Sequence, residues 1–311
     1  MAYASGDLIL DDHYNTFATG NADGTANHAV ANINTVWGVG NGDKGYGQTT
    51  TLAAVTAGET VTATQWSTLL GRLNSILTHQ SGSGSGITAP TAGNIIEVLS
   101  NLSTNVTTAF NNRLNFNSTR GTTLTGTEQD ASWASTTTTR QFIVNFNSAD
   151  HARYFFNAGG RLSLVLTPVN FSANSKEINW ANLINAVGTI HLDAYSSTRT
   201  GTGETVTING LSTGYWELTT SNTTLLRLTE ATSPYTANYI NISARVSGAA
   251  GANGGLGTQV IFTIDYIDGA DDSGFDDAVS ATFRQRVDVT RPNTTNLTNV
   301  WGFFIINFGT P

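Results

Sequence analysis

Two hydrophobic periods divide this chain. Up to about residue 118 the apolar positions recur at helical spacing; beyond it they alternate. In "TATQWSTLLGRLNSILTHQ", Trp66, Leu69, Leu70, Leu73, Ile76 and Leu77 fall at i, i+3, i+4, i+7, i+10 and i+11, one face of a helix. Thr62 or Thr64 is placed to cap it. A shorter helix is predicted in "ANHAVANINTVWG", with Val30, Ile33 and Trp37 on one side and Gly38 as its stop. The glycine-rich stretch between them reads as loop, and "SGSGSG" after His79 as a flexible linker or a tight loop. Ile95, Leu99, Leu102, Val106 and Ala109 then step by four and three, the seam of a helix that packs on others, within the chain or across a symmetry axis.

From about residue 119 the period becomes two. "RQFIVNFNS", "GRLSLVLTP", "GTIHLDAYS", "GETVTINGL", "GYWELTT", "TLLRLTE", "NYINISARVS", "TQVIFTIDYID", "ATFRQRVDVT" and "NVWGFFIINFG" are ten such runs between Gly, Pro, Asn and Ser turns. "KEINWANLINAVG" interrupts them as a helix with Ile178, Leu183 and Val187 near one face, and "SADHARYFFNAGG" as a helical turn or short helix. The expected class is α+β: a helical region over 1–118, then an antiparallel β-sandwich, jelly-roll-like, over 119–311.

The helical region contains an internal repeat. Aligning "SGDLILDDHYNTFA" with "AGETVTATQWSTLL" puts Gly6 under Gly58, Asp7 under Glu59, Ile9 under Val61, Tyr14 under Trp66 and Phe17 under Leu69. A polar lead followed by an aromatic-anchored helix is a compact clip. Two copies can dock on other subunits, or simply pack on each other.

Composition narrows the function classes. The net charge is −8, with 7 acidic and 3 basic residues in 1–118 and 15 and 11 in 119–311, so each part carries −4. No basic stripe for nucleic acid is present, and no apolar run long enough for membrane insertion. The opening "MAYASGDLIL" lacks the pattern of a secretory signal. With no cysteine, disulfides and thiolate metal sites are excluded. Charged residues make up 12% of the chain, well under the usual ~25%, and Thr, Ser, Asn and Gly fill the gap. Such surfaces suit contact with other subunits.

Candidate chemistry is sparse. The five histidines show no HxxxH or HExxH spacing. His191, alternating with Ile190 and Leu192, is expected on the outer side of a strand. In "DYIDGADDSGFDDAVS", Asp268, Asp271, Asp272 and Asp276 are a candidate calcium cluster, but their spacing is not that of an EF-hand, and a solvated hairpin loop explains them as well. Tyr215, Trp216 or Trp133 could stack on sugars if exposed, or fill a core.

"GYGQTTTLAAVTAGETVTATQWSTLLGRLNSILTHQ" and "ADHARYFFNAGGRLSLVLT" resemble virion structural proteins of tailed bacteriophages, notably the T4-like and related phages of cyanobacteria. The matching residues are Gly58, Glu59, Val61 and Trp66, their counterparts Gly6, Asp7, Ile9 and Tyr14, and the Tyr-Phe-Phe-Asn-x-Gly-Gly stretch Tyr154 to Gly160. The resemblance implies a non-enzymatic particle component, without cofactor, made in the host cytoplasm and attached to tail, neck or baseplate. Its expected partners are its own copies, a trimer first, and other phage structural proteins. Tyr14, Phe17, Trp66, Leu69, Leu73 and the Ile95–Leu102–Val106 seam are the expected attachment or oligomer residues. The alternatives are a host-surface carbohydrate-binding sandwich and a capsid decoration protein.

Overall fold

A computed structural model describes residues 10–89, 99–133, 136–248, 257–270, 279–302 and 304–309. The chain forms two compact units. The first comprises Met1–Gly121, Arg153–Gly159 and Pro292–Trp301; the second comprises Thr122–Ala152, Gly160–Arg291 and Gly302–Pro311. These are not the two contiguous spans expected, because the first unit recruits two short segments from beyond residue 118.

The described helices that lie wholly in the first unit are α1 (Asp11–Thr19), α2 (Ile33–Trp37), α3 (Ala63–Ser81) and α4 (Leu99–Asn111). α3 starts at Thr62 in a capping box: the Thr62 hydroxyl accepts from the Gln65 N–H, and the Gln65 side chain accepts from the Thr62 N–H. It stops at Gly82, in the left-handed region at φ 82°. α2 is shorter than predicted, and Val30 is 42% exposed. The reason is Asn32, whose side chain donates to Asn27 and Val30 carbonyls and accepts the Thr35 N–H, so the helix is capped there. The serine-glycine stretch is fixed beside α3, where Asn74 Oδ1 accepts from the Ser85 N–H and hydroxyl. α4 lies against α2 and α3 and buries Leu102, Val106 and Ala109.

Among the described residues the second unit holds two six-stranded antiparallel sheets, so the class is α+β with sandwich-like sheets. Its strands are β1 (Thr123–Leu124), β2 (Gln129–Ser132), β3 (Thr137–Phe146), β4 (Arg161–Val169), β5 (Thr189–Leu192), β6 (Ser197–Arg199), β7 (Val206–Gly210), β8 (Thr223–Glu230), β9 (Tyr239–Val246), β10 (Gln259–Ile267), β11 (Thr282–Thr290) and β12 (Phe304–Gly309). One sheet runs β1-β11-β4-β5-β6, with β2 also on β11; the other runs β12-β3-β10-β9-β8-β7. They meet face to face: the Tyr266 and Phe283 rings lie 4.2 Å apart, and the Tyr266 hydroxyl donates to Gln285 Oε1 at 3.1 Å. Phe142, Val144, Leu162, Leu164, Phe262 and Val287 are buried, as alternation requires.

α5 (Ala149–Asn157) begins in the second unit and ends in the first; α6 (Ser175–Val187) belongs to the second. α6 buries Trp180, Leu183, Ile184 and Val187 but leaves the predicted Ile178 47% exposed. Lys176 and Glu177 are buried at its start, so the inward face there is taken by charged residues and Ile178 turns outward. "GYWELTT" is not a strand. Tyr215–Glu217 is a 3-10 turn, closed by the Gly214 N–H donating to Glu217 Oε2 at 2.7 Å.

Candidate functional site

The two copies of the repeat coincide from the helix start onward. Leu10 and Thr62 occupy the caps, Asp11 and Ala63 begin the helices, and Tyr14 and Trp66 hold the same helical position. Both rings are buried, at 1% and 2% exposure, with centroids 6.3 Å apart. The copies therefore meet through these two rings inside one unit, while α2 packs against both helices. Gly6, Asp7 and Ile9, the lead of the first copy, lie outside the described residues, as does Ile95.

Burial corrects the expected anchor. A side chain that seats on another subunit must be exposed in a single chain. Trp66, Leu69, Leu73, Leu102, Val106 and Tyr14 are instead the core of their own unit, and Phe17 is half-buried.

The second stretch that carries the resemblance meets the first. Gly47 sits at φ 71° with its α-carbon under the Tyr154 ring, where an added Cβ would lie 2.3 Å from Cδ2. Arg153 donates to the Gly42 carbonyl at 3.0 Å, and Asn157 Nδ2 to the Gly45 carbonyl at 3.1 Å. His79, near the end of α3, has Nε2 3.1 Å from the Ala158 carbonyl. Burial pushes His79 down to about 4, so near neutral pH it is an uncharged imidazole donating Nε2–H. Beside it, Gln80 Nε2 donates to the Tyr46 hydroxyl at 3.0 Å and the Ala109 carbonyl at 2.8 Å, and the Tyr46 hydroxyl donates to the Arg113 carbonyl at 2.8 Å. Burial raises the Tyr46 phenol, which stays protonated. Gln48, 2% exposed, exchanges hydrogen bonds with Thr298 through both ends of its amide. Each of these polar groups is committed to a backbone partner, so the chemistry of this network is to hold loops in place.

The other candidates fall apart as sites. Asp268 is an ion-paired residue rather than a loop ligand: its Oδ2 lies 2.6 Å from Lys176 Nζ. Asp271, Asp272 and Asp276 lie outside the described residues. Among the described residues no group of three or more His, Asp or Glu is arranged to hold a metal ion, and no helix is long and apolar enough to cross a membrane. His191 pairs with Ser163 across β4 and β5, Nδ1 to Oγ at 2.8 Å. Tyr215 and Trp216 are buried, and the Trp133 ring lies 4.5 Å from that of Trp180, so these aromatics offer no stacking platform. An open groove of about 310 Å³ runs along β12, lined by Leu124, Gly126, Phe142, Phe304 and Phe308 among others.

The chain matches no family model, no curated protein and no solved structure.

Proposed function

We propose that the chain is a non-enzymatic structural component of a tailed-phage virion, held at tail, neck or baseplate through its first unit. The observation that carries this reading is the joining of the two stretches that bear the resemblance. They are about a hundred residues apart in sequence, yet Gly47 accepts the Tyr154 ring and His79 reaches the Ala158 carbonyl within one unit. A shared module explains both motifs together; two chance matches would not need to touch. Attachment then uses the outer surface of that module. α4 exposes Asn101, Ser103, Thr104, Thr107 and Thr108, a face without the charges that are depleted at interface centres. The same face serves self-association, with a trimer as the first expectation.

The test is immunogold labelling of purified particles of the encoding phage with antibody against the full chain. Label at tail, neck or baseplate is expected. Label spread over the head at a copy number near the capsid protein's makes the chain a decoration protein. Particles without label, from lysates that contain the chain, refute a virion role.

A further inference from the structure

The second unit buries a lysine against an aspartate. Lys176 is the second residue of α6 and 1% exposed; Asp268 directly follows β10 and is 7% exposed. Nζ and Oδ2 are 2.6 Å apart. Removing two full charges from water is costly, and passing one proton across the contact leaves an amine and a carboxylic acid, both neutral. We propose that this pair condenses into an intramolecular isopeptide bond, Lys176 Nζ to Asp268 Cγ.

The reaction balances within the pair. The ammonium gives one proton to Oδ2, and the freed nitrogen lone pair attacks Cγ. A second proton passes from nitrogen to the same oxygen, the Cγ–Oδ2 bond breaks, and one water leaves. The third proton remains as the amide N–H. No oxidant, cofactor or leaving group from outside is needed, and contact distance supplies the proximity that makes an uncatalysed condensation feasible.

The surroundings favour this direction. Asn179 and Trp180 share a helix face with Lys176, and Tyr266 shares a strand side with Asp268. The Trp133 ring lies 4.5 Å from Trp180 and 6.2 Å from Tyr266, so the two elements that carry the pair share an aromatic cluster, and the pair itself is buried. Water is the product and the reagent of the reverse step, and burial that excludes it protects the amide. Both ends are also held. Asn179 Nδ2 donates to buried Glu230 at 2.7 Å, and Asn238, fully buried, accepts the Gly269 and Ala270 N–H groups at 3.1 and 3.0 Å. Asn179 and Asn238 act as positioning residues. The bond would tie α6 to the end of β10 in a chain that has no cysteine for a disulfide.

The experiment is the intact mass of the full chain, unfolded after prolonged incubation in its folded state, with a peptide map. The expected mass is one water below the sequence mass, with a branched peptide joining the Lys176 and Asp268 segments. Lys176→Arg, which keeps the charge but cannot close the amide, is expected at full mass. Wild-type protein at full mass overturns the proposal. So does a missing water that returns in mild alkali, or one that persists in Lys176→Arg: both mark a succinimide at Asp268–Gly269, which yields no branched peptide. If Lys176→Arg does not fold, the wild-type map alone decides.

Discussion

Acidification from pH 7 to pH 5 should loosen the first unit through His79. In the folded chain burial holds this imidazole near 4, against 6.5 when solvated. The unfolded chain therefore binds a proton that the folded chain refuses, and stability falls as pH drops through 6.5, levelling off near 4. With those two values the linkage is nearly silent at pH 7 and reaches about 2 kcal/mol by pH 5. His28, whose burial also lowers it, acts in the same direction. His79→Gln isolates the effect, because glutamine keeps an N–H donor for the Ala158 carbonyl but does not titrate. The assay is urea unfolding read by pulsed hydrogen exchange on peptides of α3, at pH 7 and pH 5, in both proteins. Wild type should lose about 2 kcal/mol more than the variant across that interval. Equal losses would mean that His79 takes up its proton without opening the unit, and that the buried neutral imidazole is misassigned.

Trp66→Ala should cost about 3–5 kcal/mol of first-unit stability in the same assay, and a variant that lost only its oligomeric state would contradict the core placement. Gly47→Ala should be far worse than Gly58→Ala. Both adopt positive φ, which costs an alanine about 1–2 kcal/mol, but only at Gly47 does the new methyl meet the Tyr154 ring, while at Gly58 nothing lies within 4 Å; thermal melts of the two variants compare them directly. At the start of α6, burial tends to push the Glu177 carboxyl up, and the N–H and hydroxyl donors of Ser172 and Ser280 more than reverse it, leaving about 2. Its stabilisation is thus complete above about 4.5 and lost toward pH 2; Glu177→Gln should destabilise the second unit by about 1–3 kcal/mol at pH 7 and flatten that acid limb of a urea titration.

The sheets were legible because a two-residue period admits one register against a core. β3, β4 and β10 follow their runs, with Phe142, Leu164 and Phe262 inward. α3 was legible because Thr62 and Gln65 announce its start. Three features were not. Asn32 looks like any loop asparagine until its three hydrogen bonds are seen. Lys176 looks solvated until a carboxylate is found beside it. The recruitment of Arg153–Gly159 and Pro292–Trp301 into the first unit depends on cavities shaped by residues far away in sequence, such as the space over Gly47. One signal for the last did exist: Asn32–Ile33–x–x–Val36–Trp37–Gly38 and Asn296–Leu297–x–x–Val300–Trp301–Gly302 share a pattern, and both tryptophans are buried in that unit.

The repeat has a physical rationale that redirects the search for an interface. α1 has nine residues, too few to persist alone in water, and its one large buried ring must be covered by something. A second copy supplies a ring at the same helical position; Tyr14 and Trp66 meet there, both are buried in the unit, and neither remains for a partner. Assembly must then rest on what the unit leaves outside, and α4 offers an uncharged face: Asn101, Thr104 and Thr108 are exposed while Leu102 and Val106 are buried. Thr104→Arg with Thr108→Arg places two charges on that face. Exposed substitutions of this kind change stability by about 0.5 kcal/mol or less, so the melting temperature should hold, while two desolvated guanidinium groups should dissociate any oligomer formed there. Light scattering of the full chain, wild type against the double variant, reads the difference. An oligomer of unchanged mass in the variant would place the interface elsewhere and remove α4 from the attachment surface.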